Sequence, residues 1–137
     1  MNTVQIVAPN NIYTVWEDVK SYLEASINVS EGDFTLDQLK LLLGRGEQTL
    51  LVSVDEKGVL NGAMTVEFIN RPNHRVMFIT ALGGHGIVND ETFSQVESWA
   101  KSHGATKASA WAQEAQARLY KLKANFNTVR MVVEKDL

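Results

Sequence analysis

Gly83-Gly84-His85-Gly86 stands directly ahead of a helical pattern that opens near Asn89, and it is the first place in the chain where residue types and spacing could do chemistry. A glycine-rich turn can aim backbone N–H groups at an anion, and the positive end of a helix dipole reinforces them. The His85 imidazole could add a donor toward a phosphate or a substrate. Asp90 and Glu91 act the other way, because carboxylates in the first helical turn already satisfy the dipole and repel a phosphate. The plainer reading is a turn between a buried strand and a helix, with His85 merely exposed. His74 and His103 lie apart from His85 without ligand spacing, and no HExxH is present, so no metal site is expected.

The elements that must position this turn are well marked. Residues 3–8 alternate apolar with polar and stop at Pro9, as a short strand does. From Ile12 onward Val15, Trp16, Val19, Tyr22 and Leu23 recur at three- and four-residue steps, which puts one apolar stripe on a helix. Thr35 and Gln38 have capping-box spacing, Phe34 and Leu39 can staple the entry to a second helix, and Gly44 and Gly46 end it. Residues 49–54 and 59–69 read as a hairpin around Asp55-Glu56-Lys57-Gly58, with Met64, Val66 and Phe68 sharing a face. Residues 75–82 are too continuously apolar for a half-exposed strand and suit a central one. A helix over 89–102 turns Phe93, Val96, Trp99 and Ala100 inward and closes at Gly104; a strand at 106–112, a helix at 114–124 and a last strand at 127–135 follow. Trp16, Trp99 and Trp111 are expected as packing residues.

Bulk composition narrows the function classes. With 137 residues and 45% hydrophobic content, one domain over 1–137 with a real core is expected. The 13 basic and 16 acidic residues leave a net charge of -3, so there is no broad cationic field for general nucleic-acid binding. The absence of cysteine excludes disulfides and thiolate zinc sites. No apolar run approaches the roughly 18 residues that cross a bilayer, and the N-terminal residues lack a leader's basic-then-apolar layout, so a cytoplasmic protein without a membrane span is expected.

The predicted order, β-α-α-β-β-β-α-β-α-β, resembles that of the GCN5-related N-acetyltransferases (GNAT). Local segments fall in matching places along the whole chain. Glu56 to Ala63 resembles that family's tight hairpin with a glycine on the return strand, and Ser98 to Ala105 the end of its central helix. Leu119-Tyr120-Lys121 followed by Phe126 resembles its C-terminal signature, one residue longer than usual and with Asn125 for the glycine. The strand ending Ile79-Thr80-Ala81-Leu82-Gly83-Gly84 also resembles small acetyltransferase-like proteins of tailed bacteriophages, which would place the chain in host cytoplasm or virion. The resemblance implies an α/β (α+β) fold with a mixed, mostly antiparallel central sheet and helices on both faces.

It also implies a site. Acetyl-CoA would lie with its pantetheine arm on the backbone of Ile79, Thr80, Ala81 and Leu82 and its pyrophosphate on Gly84, His85 and Gly86. Tyr120 would protonate the departing thiolate, a role suited to a phenol of pKa about 10. Glu67 could relay the amine proton through water. Here Gly83 stands where the family has a basic or amide side chain, Val88 where it has a glycine and Gln113 near its asparagine. Each residue has a plainer reading: Tyr120 as a packed amphipathic ring and Glu67 as a surface strand residue. The acceptor, a small-molecule or protein amine, would be chosen by the Asn28 to Asp33 loop and the Asn70 to His74 turn. The alternative is a catalytically inactive module of the same fold that binds a protein partner or joins a virion. Strand 127–135 could pair across a homodimer.

Overall fold

The computed structural model describes residues 2–28 and 33–137. In chain order they form β1 (Thr3–Val7), a 3-10 turn (Pro9–Asn11), α1 (Ile12–Asn28), α2 (Leu36–Gly44), β2 (Thr49–Val54), β3 (Leu60–Asn70), β4 (Arg75–Gly84), α3 (Asp90–Ser102), β5 (Lys107–Ala110) and α4 (Glu114–Ala124). The sheet runs β1-β2-β3-β4-β5, antiparallel throughout except for the parallel pair β4 and β5. Among the described residues no helix is long and apolar enough to cross a membrane.

Strand alternation divides the core into two layers. On one face Leu50, Val52, Ala63 and Ala81 meet the α1 stripe of Ile12, Trp16, Val19, Leu23 and Ile27 together with Leu39 and Leu43 of α2. On the other, Leu51, Met64, Val66, Met77 and Ile79 meet Phe93, Val96 and Ala100 of α3 and Tyr120 of α4. The second helix starts as its sequence requires. The Thr35 hydroxyl accepts from the Gln38 N–H at 3.1 Å, the Gln38 side chain accepts from the Thr35 N–H at 3.0 Å, and Phe34 packs into the same layer as Leu39.

Two features set the upper end of β4. Thr65 pairs with Ala81 and Val66 with Ile79, so Thr80 is an extra residue in β4, a bulge that turns Thr80 and Ala81 toward the same face. Three residues on, Gly83 lies so close to α1 that a Cβ would run into the Tyr22 carbonyl. The Leu82 N–H donates to the Ser26 hydroxyl at 3.2 Å in the same crossing.

The expected sixth strand at 127–135 is not formed. Asn125 takes the left-handed conformation, φ 59, that ends α4, and Phe126 then packs at 5.5 Å from the Phe93 ring and 4.9 Å from that of Tyr120. Beyond it the chain has no regular structure, and Val129, Met131 and Val133 are 74%, 89% and 89% exposed. Alternation marks a segment able to be a strand, but a strand forms only by pairing, and this segment takes no place in the sheet. β5 is also shorter than expected, ending at Ala110.

Gly83→Ala should destabilise the protein by about 3 kcal/mol or more, because the obstacle is backbone that cannot rotate away. Chemical denaturation of the two proteins measures the difference, and because Gly83 does not lie in the left-handed region the loss reads the steric conflict without that backbone strain.

Candidate active site

Above Ile79 the two parallel strands part. Ile79 and Ala110 are their last partners; the bulge at Thr80 then turns β4 aside, and β5 stops. β4 stays paired with β3 as far as Gly84, so over Thr80 to Leu82 the edge without a strand is the one facing β5. The gap is a cleft of about 160 Å³. Ile79, Thr80, Ala81, Leu82 and Gly84 line one wall, Ser26 of α1 closes one side, and Gln116, Leu119 and Tyr120 of α4 lie across from β4 with Ala110, Trp111 and Val88.

The bulge is anchored by hydrogen bonds in the layer below. The Thr80 hydroxyl donates to the Gln48 side-chain oxygen at 2.6 Å, which leaves the Thr65 hydroxyl as donor to Thr80 at 2.7 Å. Gln48 and Thr65 are both buried. Breaking this chain would leave polar groups without water or partner, a cost of about 1–3 kcal/mol each.

Tyr120 is buried at the cleft, and burial alone pushes its phenol well above its ordinary pKa of 10.0. It is therefore a neutral proton donor at any physiological pH. The other candidate for proton transfer is elsewhere: Glu67 is half-buried on β3 opposite Phe78, outside the cleft lining. Among the described residues the lining holds no carboxylate, imidazole, lysine or arginine.

The glycine turn is built into the fold rather than held open. His85 is exposed, and its N–H donates to the Asn61 carbonyl at 3.3 Å. Gly86 is buried, and a Cβ there would strike the Asn61 side chain. Its carbonyl accepts from Asn2 and Asn89 side chains, each at 3.3 Å, while Asn61 bridges Ser53 and Asn2. At the helix start Asn89 caps α3 by accepting from the Thr92 N–H at 2.9 Å, and Asp90 and Glu91 follow in the first turn. Neither His85 nor Gly86 reaches the cleft lining.

Two expectations change. Trp111 is 59% exposed rather than core: β5 ends one residue before it, so it borders the cleft with its ring edge-on to Phe78 at 5.4 Å. The Asn70 to His74 turn lies at the opposite end of β4, roughly 16 Å of strand from Thr80, and does not border the cleft. Of the Asn28 to Asp33 loop, residues 29–32 lie outside the described residues. Sequence reasoning also missed Ser26, Gln48, Thr65, Asn2 and Asn61, whose partners are distant in the chain and leave no local signal.

No protein-family model matches this chain, and no curated protein matches it. Solved structures do. An aminoglycoside acetyltransferase from an uncultured soil metagenomic sample, solved with sisomicin, superposes with a TM-score of 0.70 at 12% identity, covering 99% of this chain and 96% of the other. The aminoglycoside 6'-N-acetyltransferase of Acinetobacter baumannii gives 0.66 at 15% identity, covering 100% and 99%. A Clostridium acetobutylicum protein described as a predicted acetyltransferase, crystallised with acetyl-CoA, gives 0.63 at 14% identity, covering 99% and 96%. At such identities the likeness is one of fold, and the fold is the acetyltransferase architecture that the local sequences resemble.

Burial of Tyr120 also gives a stability prediction. With the folded pKa raised, the neutral ring contributes fully below about pH 10, and the contribution is lost as pH rises from there through the folded value, because the unfolded chain releases the proton first. The fall in melting temperature between pH 9 and 11 should be shallower in Tyr120→Phe than in the parent protein.

Proposed function

We propose that this chain uses its GNAT fold for acyl transfer from acetyl-CoA to an amine. The observation that carries the reading is the parting of β4 and β5 above Ile79, which leaves the β5-facing edge of Thr80 to Leu82 without a strand beside a buried, neutral Tyr120. Unpaired strand backbone is suited to an amide-bearing arm, which can bond to it as a strand would. Acetyl-CoA would supply the thioester. The amine nitrogen bonds to the acyl carbon, the carbon–sulfur bond breaks, and Tyr120 gives its proton to the sulfur. The proton shed by the amine leaves through water, since among the described residues the cleft lining has no carboxylate or imidazole; Glu67, one strand away, can receive it by such a relay.

A second reading rests on the other end of the site. The start of α3 is capped by its own Asn89 and followed by two carboxylates, the His85 N–H is already bonded, and among the described residues no cation lines the cleft. These features oppose a pyrophosphate, and they favour a module that keeps the fold, binds a protein and has no catalysis.

One experiment separates the two. If the acyl-transfer reading holds, acetyl-CoA at about 100 times its dissociation constant adds roughly 2.7 kcal/mol and raises the melting temperature by on the order of 8 °C. No rise with acetyl-CoA or longer acyl-CoAs rules it out in favour of the binding module. Where binding is seen and an acceptor found, Tyr120→Phe should lower kcat about 100-fold with the acetyl-CoA affinity little changed.

A further inference from the structure

We propose that the Ser26 hydroxyl is the donor that holds the acyl oxygen of a bound thioester, so that α1 supplies part of the acyl site. The assignment rests on the acyl-transfer reading and names a residue within it. Leu82 pairs with Met64 of β3, yet its N–H runs the other way, off the β5-facing edge of β4, and donates to the Ser26 hydroxyl oxygen at 3.2 Å. A hydroxyl that accepts this bond still has one proton to give. Two other helical serines return that proton to their own helix: Ser94 donates to the Glu91 carbonyl and Ser102 to the Trp99 carbonyl, each three residues earlier. Ser26 is held outward by Leu82 and, among the described residues, gives its proton to none, while it borders the cleft together with Tyr120.

The placement is built into the crossing of α1 and β4. Tyr22 and Ser26 stand one turn apart on the same side of α1. The missing side chain at Gly83 admits the Tyr22 carbonyl against β4, and the same approach sets the half-buried Ser26 on Leu82. Acyl transfer has a specific use for such a group. As the amine nitrogen bonds to the acyl carbon, the electron pair of the carbonyl moves onto its oxygen, and it returns when the carbon–sulfur bond breaks, so that oxygen needs a donor fixed in advance. Among the described residues the lining has no lysine, arginine or imidazole to serve. Tyr120 gives its proton to the sulfur, and the Leu82 N–H is occupied by Ser26. That N–H still contributes: a hydroxyl that accepts a hydrogen bond becomes a stronger donor, so the pull of the β4 edge is passed through Ser26 to the cleft.

Calorimetric titration of the full chain with acetyl-CoA and with S-ethyl-CoA, the thioether that carries a methylene in place of the carbonyl, tests the assignment. The parent protein should bind acetyl-CoA about 5-fold more tightly than S-ethyl-CoA, the worth of one hydrogen bond. Ser26→Ala should bind the two alike, with its affinity for S-ethyl-CoA unchanged. The infrared band of the isotope-labelled thioester carbonyl, read on the bound ligand, should lie at higher wavenumber in Ser26→Ala than in the parent, a change that a merely structural role would not produce. Equal binding of the two ligands by the parent overturns the assignment and leaves the acyl-transfer reading standing, as does a Ser26→Ala variant that keeps both the preference and the parent's band. A parent that binds neither ligand takes down both. Should the alanine variant fail to fold, Ser26→Cys, close in size and only a weak donor, takes its place in the same comparison and should lose most of the preference.

Discussion

Thr80 is one residue too many for the ladder it occupies, and the upper half of the molecule is arranged around that surplus. Pairing resumes on the β3 side at Ala81, so the extra length is taken up as a turn of β4 away from β5. A bulge can relax unless something holds it. Here its hydroxyl is fixed by Gln48 and Thr65, both buried, so straightening the strand would strand three polar groups. The lower half of β4 serves as the middle of a sheet and the upper half as the wall of a cleft, with the switch made at one residue.

What the bulge opens, α1 and α4 bound. Gly83 admits the Tyr22 backbone at a distance no side chain would allow, which brings Ser26 to the Leu82 N–H and to the cleft. Opposite, α4 sets Tyr120 between the cleft and the layer formed with Phe93 and Phe126. The same burial that packs the ring also keeps its phenol protonated and makes it a weaker acid than a free phenol. At the glycine turn the demands conflict. The His85 N–H, a donor an anion would want, is already taken by the Asn61 carbonyl, and asparagine side chains tie the turn to the residue before β1 and to β3.

The parts legible in the sequence are those whose partners are near in the chain. Thr35 and Gln38 meet across a single helical turn, and the α1 stripe needs only a period, so each could be read directly. The position of Tyr120, buried and bordering the cleft, fits its plainer reading as a packed ring. Thr80 was not legible as a bulge, because a residue is surplus only relative to the strand beside it, and nothing in the β4 segment says where β3 skips. Trp111 was misread for a related reason: its type suits a core, but its burial depends on β5 continuing past Ala110. The segment 127–135 has the composition of a strand but takes no place in the sheet, a distinction that periodicity does not contain.

The asparagine ties have a practical side. Asn2 reaches the Gly86 carbonyl through its amide and binds Gln95 of α3 through its own backbone carbonyl, so the first described residue of the chain is wired to the turn beside the cleft. The start of α3 is thereby clasped by a segment more than eighty positions earlier. Any segment joined ahead of Asn2 would start next to this clasp, and its length and charge would become part of the environment in which any ligand is assayed. A short, cleavable, neutral leader is the least intrusive choice for handling this protein.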